Sequence, residues 1–149
     1  MQTASFPQTL PASESRNWAA AMHIGALVLA LLTSWMSGLA GALVAGAVYL
    51  AKRDEDAFVA EHAREALNFH LSMCLYACAI VVTGIVLLGA TVLTLGIGAI
   101  VTVPAGLLLG AAACGLALLW LVSSIVAAVR ALNGEHYEHP LTIRFFGRR

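Results

Sequence analysis

Residues 71–93 read LSMCLYACAIVVTGIVLLGATVL, and residues 105–129 read AGLLLGAAACGLALLWLVSSIVAAV. Both lie inside 66–129, a run of 64 residues without Asp, Glu, Lys or Arg. A charged side chain at the centre of a bilayer costs about 2.5–3.5 kcal/mol, so segments that cross lipid exclude charge. Soluble domains have no reason to exclude charge over such a length, and the run therefore predicts an all-α protein integral to a membrane.

The composition of the whole chain agrees with this interpretation. Hydrophobic residues make up 60% of the 149 residues and charged residues only 11%, against about 25% in soluble domains. Eight basic residues balance eight acidic ones, and such a balance offers no basic surface for nucleic acid. The lipid bilayer is the first partner that the sequence predicts.

A helical span needs about 20 apolar residues. The sequence predicts three spans, at about 22–50, 71–93 and 105–129, with a turn at 94–104 where Gly96, Gly98 and Pro104 interrupt the helical pattern. The first segment is longer than one crossing requires, and it could tilt or break near Ser37 and Gly38. Four spans are the alternative, if the first segment or the 94–104 region forms a re-entrant pair.

The distribution of cations predicts the orientation. Seven cations follow the first or the third predicted span and one precedes the first; the seven are Lys52, Arg53, Arg64, Arg130, Arg144, Arg148 and Arg149. Positive charge accumulates in cytoplasmic loops. With three spans, the sequence therefore predicts an inner-membrane protein with its N-terminus outside and its C-terminus in the cytoplasm.

Three regions follow from these spans: a disordered tail at 1–17, a transmembrane helical domain at 18–133, and a cytoplasmic interfacial tail at 134–149. Small residues recur every four positions in two of the spans, and helices in lipid pack closely through such faces. The two sets are Gly38, Ala42 and Gly46, and Gly106, Gly110 and Cys114. They predict helix contacts, either within one chain, in a homo-oligomer or with other membrane proteins.

The first polar segment, at 51–72, reads AKRDEDAFVAEHAREALNFHLS. Asp54, Glu55 and Asp56 precede a helical pattern that begins at Ala57, where carboxylates favour the positive end of a helix. The pattern predicts an amphipathic juxtamembrane helix lying at the interface before the second span begins. His62, Arg64 and Asn68 are expected to form a structural network with the C-terminal tail, and His70 is the ionisable group that enters the apolar run.

The second polar segment, at 133–149, reads NGEHYEHPLTIRFFGRR. Its aromatic and cationic residues predict a tail that lies along the lipid headgroups. The tail could instead dock on the juxtamembrane helix, with Arg144 paired to Glu61 or Glu65.

The sequence predicts no catalytic residue, cofactor or metal. His62 and Glu65 do not form an HExxH motif, and one helix face supplies too few convergent ligands. Cys74, Cys78 and Cys114 lie in apolar segments and are interpreted as small packing residues. Because paired Asp, Ser/His or metal ligands are missing from the apolar segments, we do not expect an enzyme.

The two polar segments resemble the domain-of-unknown-function family 4870 of small bacterial membrane proteins, over roughly residues 18–146. The matching residues of the first segment are Lys52, Arg53, Asp54, Phe58, Val59, His62, Ala66, Leu67, Asn68 and Phe69. Those of the second are Gly134, Tyr137, Pro140, Ile143, Arg144 and Phe145. That family is distantly similar to the Tic-type subunit of the chloroplast protein-import channel, which implies a helical bundle and a role in handling polypeptides.

From these patterns we expect an uncharacterised, non-enzymatic scaffold or accessory subunit of the inner membrane. An oligomeric transport or protein-translocation component is the alternative. The candidate structural and interaction residues are His62, Arg64, Asn68, Phe69, His70, Tyr137, Pro140 and Arg144.

Overall fold

The computed structural model describes residues 10–33 and 37–147, and these residues are almost entirely helical. The four helices are α1 (Ser13–Thr33), α2 (Ser37–Lys52), α3 (Ala57–Leu93) and α4 (Ala99–Leu132). Helices α1, α3 and α4 are long and apolar enough to cross a membrane, whereas α2 is shorter. The predicted all-α membrane architecture with three long apolar helices is confirmed.

The segment predicted as one span at 22–50 is instead a pair of helices. Helix α1 ends at Thr33 and α2 begins at Ser37, close to the predicted break. The two helices pack side by side, because small residues along α2 let its neighbours approach. The structure therefore divides the predicted first span into two helices.

The helix pair brings both ends of the described chain together. The Arg16 guanidinium donates to the Leu132 carbonyl at 3.4 Å, and the Lys52 ammonium lies 5.5 Å from the centre of the Trp18 ring. The start of α1, the end of α2 and the end of α4 thus share one end of the bundle. The sequence predicts the two termini on opposite sides of the membrane, whereas the start of α1 and the end of α4 lie at the same end of the bundle, because the α1–α2 pair turns the chain back. Arg148 and Arg149 lie outside the described residues.

The predicted amphipathic helix and the second span form one continuous helix, α3. Asp56 caps it, because its Oδ1 accepts hydrogen bonds from the N–H groups of Phe58 and Val59 at 3.0 and 3.1 Å. Nearly every residue from 58 to 70 is buried within the protein. Other helices and the C-terminal tail cover this part of α3 on both its apolar and its polar faces.

Helices α3 and α4 are joined by a turn at 94–98, inside the predicted break. Gly96 has a φ of +88°, a conformation that glycine adopts without strain. The Thr94 hydroxyl accepts a hydrogen bond from the Gly98 N–H at 2.8 Å. Helix α4 begins at Ala99 and includes Pro104, so it starts six residues before the predicted span.

Burial divides the bundle along its length. None of residues 74–122, all of which the structure describes, is buried. We call residues 74–93 of α3 and 99–122 of α4 the apolar arm. Residues 74–93 span about 30 Å at 1.5 Å per residue, which is the thickness of the hydrocarbon core. Many of the arm's leucines, isoleucines and valines are more than half exposed, as lipid contact requires.

The other half of the bundle, which we call the polar end, consists of α1, α2, the connection at 53–56, residues 57–73 of α3, residues 123–132 of α4 and the tail at 134–147. One buried cluster joins Ala19 and Ala20 of α1 to Phe58 and Val59 of α3 and to Ala131 of α4. A second joins α1, α2 and α3, largely through alanines. A Cβ added to Gly38 would lie 3.2 Å from the Cβ of Cys74, so α2 meets α3 up to the start of the apolar arm.

The predicted regional boundaries shift accordingly. Helix α1 begins at Ser13, inside the predicted tail at 1–17, and Glu14 in its first turn complements the positive end of the helix. Residues 1–9 lie outside the described residues. At the other end, α4 ends at Leu132, and Gly134, with a φ of +76°, begins the tail.

Candidate functional site

The tail docks on α3 through hydrogen bonds to its backbone. The Asn68 side chain is fully buried; its Nδ2 donates to the Phe146 carbonyl at 3.0 Å and its Oδ1 accepts from the Phe146 N–H at 2.9 Å. One turn further along, the Ser72 hydroxyl accepts from the Ile143 N–H at 2.8 Å. These hydrogen bonds hold the tail against α3, and they lie at buried positions from which water is excluded.

The tail reverses direction at Pro140 and Leu141. Proline fixes its own φ near −65°, and Leu141 has a φ of +56°. The Tyr76 hydroxyl donates to the Leu141 carbonyl at 2.9 Å. The tail therefore runs from Gly134 along α3 to the level of Tyr76 and then returns past Ser72 to Asn68.

A buried ion pair lies beside the part of the tail that returns along α3 after Pro140. The Arg64 guanidinium lies 3.8 Å from the Glu65 carboxylate, with side-chain exposures of 9% and 6%, and also 3.4 Å from the Glu61 carboxylate. It donates to the Gly147 carbonyl at 3.2 Å. Burying Arg64 and Glu65 is tolerated because each charge has a partner.

Arg144 does not make the predicted pair. Its guanidinium binds the Glu138 carboxylate at 2.8 Å, with both side chains about half exposed, and Arg64 takes the place beside Glu61 and Glu65 that was predicted for Arg144. The Arg144–Glu138 pair joins the outgoing and returning parts of the tail across the Pro140 turn.

Ring contacts connect all five histidines of the chain. His23 of α1 lies next to His62 of α3, with His23 Nε2 3.2 Å from His62 Nδ1. His23 also lies 5.7 Å from His139 of the tail, measured between ring centres. His62 stacks on His136 at 5.9 Å, and we call these rings, together with His70, the histidine cluster.

His139 is packed against Phe69 and holds no hydrogen bond. The two rings stack with centres 4.2 Å apart, and the His139 side chain is buried while neither ring nitrogen has a hydrogen-bonding partner. Burial, followed by the nearby His70 and His62, lowers the pKa of His139 to about 3. His139 is therefore neutral, and among the described residues its two ring nitrogens have no hydrogen-bonding partner, like the buried Thr142 hydroxyl of the tail.

His70 marks the boundary between the cluster and the apolar arm. The Trp120 Nε1–H of α4 donates to His70 Nδ1 at 3.4 Å, and Gly41 of α2 lies so close that a Cβ there would overlap the His70 ring. His70 thus bridges α2, α3 and α4.

The structure brings nearly all the predicted candidate residues together. His62, Arg64 and Asn68 each bond to the tail backbone, at Glu135, Gly147 and Phe146. Phe69 packs beneath His139, and Tyr137 meets His139 edge-on at 4.9 Å. Pro140 is exposed at the turn and supports the site only through the path of the backbone.

Four members of the site were missed from the sequence: His23, Ser72, His136 and His139. His23 is an ionisable residue within the first apolar segment, which is the signal that singled out His70, and it could have been found in the same way. Nothing in the sequence distinguishes His139 from its neighbour His136, because only the fold turns one ring inward and leaves the other exposed.

The site holds the C-terminal tail against the helices. Its hydrogen bonds join side chains of α3 to the backbone of the tail, and its rings join α1, α3 and the tail. Among the described residues, no three His, Cys, Asp or Glu side chains already surround a common metal position.

Comparison with known proteins gives one result. The model of the family described as magnetosome magnetite crystal formation proteins matches residues 14–146. No curated protein matches the chain, and neither does any solved structure.

The match overturns the resemblance drawn from the sequence. The matching family is neither the domain-of-unknown-function family 4870 nor a Tic-like family. The motifs that suggested the resemblance, around Asn68 and around Pro140, form the contact between α3 and the tail. These motifs reflect the docking of the tail on α3. Two small helical membrane proteins can share such a docking pattern without belonging to the same family.

Proposed function

This chain belongs to the magnetosome magnetite crystal formation protein family, and from that membership we propose that it is a non-enzymatic accessory protein of magnetite crystal formation. It acts as a membrane-embedded scaffold, with its long apolar helices in lipid and the charged surface of the polar end presented to other components. The observation that carries the proposal is the extent of the match, since residues 14–146 include most of α1, the other three helices and the contact between α3 and the tail.

The surface of the polar end supports a binding role. Ion pairs of both signs lie exposed there, including Lys52–Glu55, Arg53–Asp54 and Arg144–Glu138. Exposed pairs of this kind contribute little to stability. They leave a mixed-charge surface at the membrane boundary, to which other proteins of the same membrane can bind.

The same charges support an orientation. All six described cations lie in the polar end, and they are Arg16, Lys52, Arg53, Arg64, Arg130 and Arg144. By the positive-inside rule the polar end faces the cytoplasm, so both termini lie on the cytoplasmic side. A cysteine placed at Glu135 should then be protected from a membrane-impermeant thiol reagent in intact cells, on a background with the three native cysteines replaced. The opposite labelling would reverse the orientation.

The function is tested by deleting the gene that encodes this chain in the magnetite-forming bacterium that carries it. We expect crystals of altered size or shape in electron micrographs, restored by the wild-type chain. Asn68→Ala, which releases the tail, should restore them poorly, and Thr83→Ala should restore them fully, since the Thr83 hydroxyl bonds only its own helix at Ala79. Normal crystals in the deletion strain would refute the proposal, provided that immunoblots show the wild-type strain to express the protein.

A further inference from the structure

Three imidazoles of the histidine cluster come from three separate parts of the chain. His23 belongs to α1, His62 to α3 and His139 to the tail. All three side chains are buried. Their rings converge where these three elements meet, so any bond that joins them also joins the elements.

The hydrogen bonds of His62 fix which of its nitrogens carries the proton. His62 Nε2 lies 3.1 Å from the Glu135 carbonyl oxygen, which can only accept, so Nε2 carries the hydrogen. In the neutral ring Nδ1 then accepts the hydrogen bond from His23 Nε2, and a metal would take the place of that hydrogen between the two nitrogens. A histidine that binds a metal typically donates its other ring N–H to a carboxylate or a backbone carbonyl, and His62 has this arrangement.

Hydrogen bonding does not account for the buried position of the His139 ring. Both of its ring nitrogens are buried without a partner, and a buried polar group without a hydrogen bond costs about 1–3 kcal/mol. Without a bound metal, this free-energy cost destabilises the folded protein at a position next to two other imidazoles. A ligand bond to one nitrogen would remove it.

The spacing of the rings is close to that of a metal centre. Two imidazoles bound tetrahedrally at the usual 2.0–2.1 Å place their ligand nitrogens roughly 3.4 Å apart and their ring centres about 5 Å apart. His23 Nε2 and His62 Nδ1 are 3.2 Å apart, and the ring of His23 lies 5.5 Å from that of His62 and 5.7 Å from that of His139. The described residues hold no group of three side chains positioned to bind a metal, so a metal site here requires the His139 ring to leave its stack on Phe69 and turn toward His23.

We propose that His23, His62 and His139 bind a divalent transition cation of the class that prefers imidazole nitrogen. Three neutral nitrogen ligands suit such ions better than Mg²⁺ or Ca²⁺, which prefer oxygen. The bound ion fastens the tail to α1 and α3, so metal binding stabilises the docked tail. The proposed metal site does not depend on the proposed function, and either proposal can hold without the other.

The probe is Co²⁺, added to the full-length protein in detergent after removal of metal by a chelator and of any affinity tag. We expect saturation at one equivalent, visible absorption bands of tetrahedral Co²⁺, and a higher Tm. His139→Phe keeps the ring stack on Phe69 and removes both nitrogens. It should weaken Co²⁺ binding by roughly tenfold or more and abolish the metal-induced rise in Tm, while raising the Tm of the metal-free protein.

His136→Gln is the matched control, because His136 is the half-exposed ring of the cluster, with a side-chain exposure of 57%. It should leave Co²⁺ affinity within about twofold. The proposal is overturned if the wild-type protein shows no saturable binding, if the bound Co²⁺ lacks tetrahedral bands, or if wild type and His139→Phe titrate alike. The wild-type titration decides the matter alone if His139→Phe does not fold.

Discussion

The polar end buries many side chains, polar ones among them, whereas the apolar arm buries none. In the polar end the buried set includes Asn68, Arg64, Glu65 and several histidines, whereas residues 74–122 of the arm bury nothing and expose leucine, isoleucine and valine. Lipid explains the arm, since apolar side chains gain nothing from packing inward there. The polar end is instead held by specific hydrogen bonds, and it is the half in which single substitutions should matter.

The largest effect is expected for Asn68→Ala. The substitution leaves the buried N–H and C=O of Phe146 without partners, which should lower the free energy of unfolding by about 2–4 kcal/mol. Thermal unfolding in detergent measures this, and limited proteolysis should show earlier cleavage of the tail. Thr83→Ala in the arm is the matched control and should change stability by less than about 0.5 kcal/mol. Equal effects of the two variants would erase the distinction between the two halves.

Gly41→Ala should also destabilise the polar end. A Cβ at Gly41 would overlap the His70 ring, and overpacking of this kind costs about 1–3 kcal/mol. Gly89→Ala in the arm meets nothing within 4 Å and should stabilise α3 slightly, because alanine is the better helix former. Tm shifts of the same sign for both variants would show that α2 does not pack against His70.

Acid should loosen the polar end and spare the arm. The pKa of His139 is lowered to about 3 in the folded protein, against about 6.5 when unfolded. Below pH 6.5 the unfolded chain binds a proton that the folded chain refuses, so stability is complete above pH 6.5 and falls as the pH drops toward 3. This group alone contributes a loss of up to about 1.4 kcal/mol per pH unit.

Unfolding midpoints between pH 7 and pH 5 measure the loss, and His139→Phe should flatten the slope. His62 and His70 act on His139 and His23 lies beside it; these groups contribute in the same experiment, so part of the slope persists in the variant. A slope identical to that of the wild type would show that His139 is not buried as a neutral ring.

Arg144→Ala should have a smaller effect, because the Arg144–Glu138 pair is half exposed. Such pairs contribute about 0–1 kcal/mol. Arg64→Ala is the informative comparison, since it leaves Glu65 buried without its arginine partner and should cost several times more. Thermal unfolding of both variants at low salt checks the order, and a larger loss for Arg144→Ala would contradict the burial of Arg64.

Local sequence sufficed where one stretch of chain decides the structure. The charge-free run, the Asp56 cap, the turn near Gly96 and the end of α4 before Gly134 all follow from neighbouring residues. The division of 22–50 into α1 and α2 did not follow, because an apolar segment of that length fits one tilted helix as well as a folded pair. Convergence of His23, His62 and His139 could not be predicted either, since it depends on how three distant elements pack.

The smallest effect is expected for Gly110→Leu. Comparison with Gly38→Leu distinguishes the roles of the two predicted small-residue faces, one on α2 and one on α4. The face on α2 is used within the chain, where Gly38 meets Cys74. The face on α4 is open, because a Cβ at Gly106 or Gly110 would meet nothing within 4 Å. Gly110→Leu should therefore leave the Tm in detergent unchanged or slightly raised, since leucine favours helix over glycine, whereas Gly38→Leu should lower it.

Crosslinking of both variants in native membranes completes this comparison. If Gly110→Leu reduces a crosslinked dimer of the wild type while the Tm of the monomer is unchanged, the α4 face is a contact between copies within the lipid. If Gly110→Leu lowers the Tm of the monomer as Gly38→Leu does, the arm packs within the chain more tightly than its exposure indicates. The contrast between a specifically bonded polar end and a lipid-facing arm would then be wrong at this position, because a helix in lipid tolerates leucine wherever only hydrocarbon surrounds it.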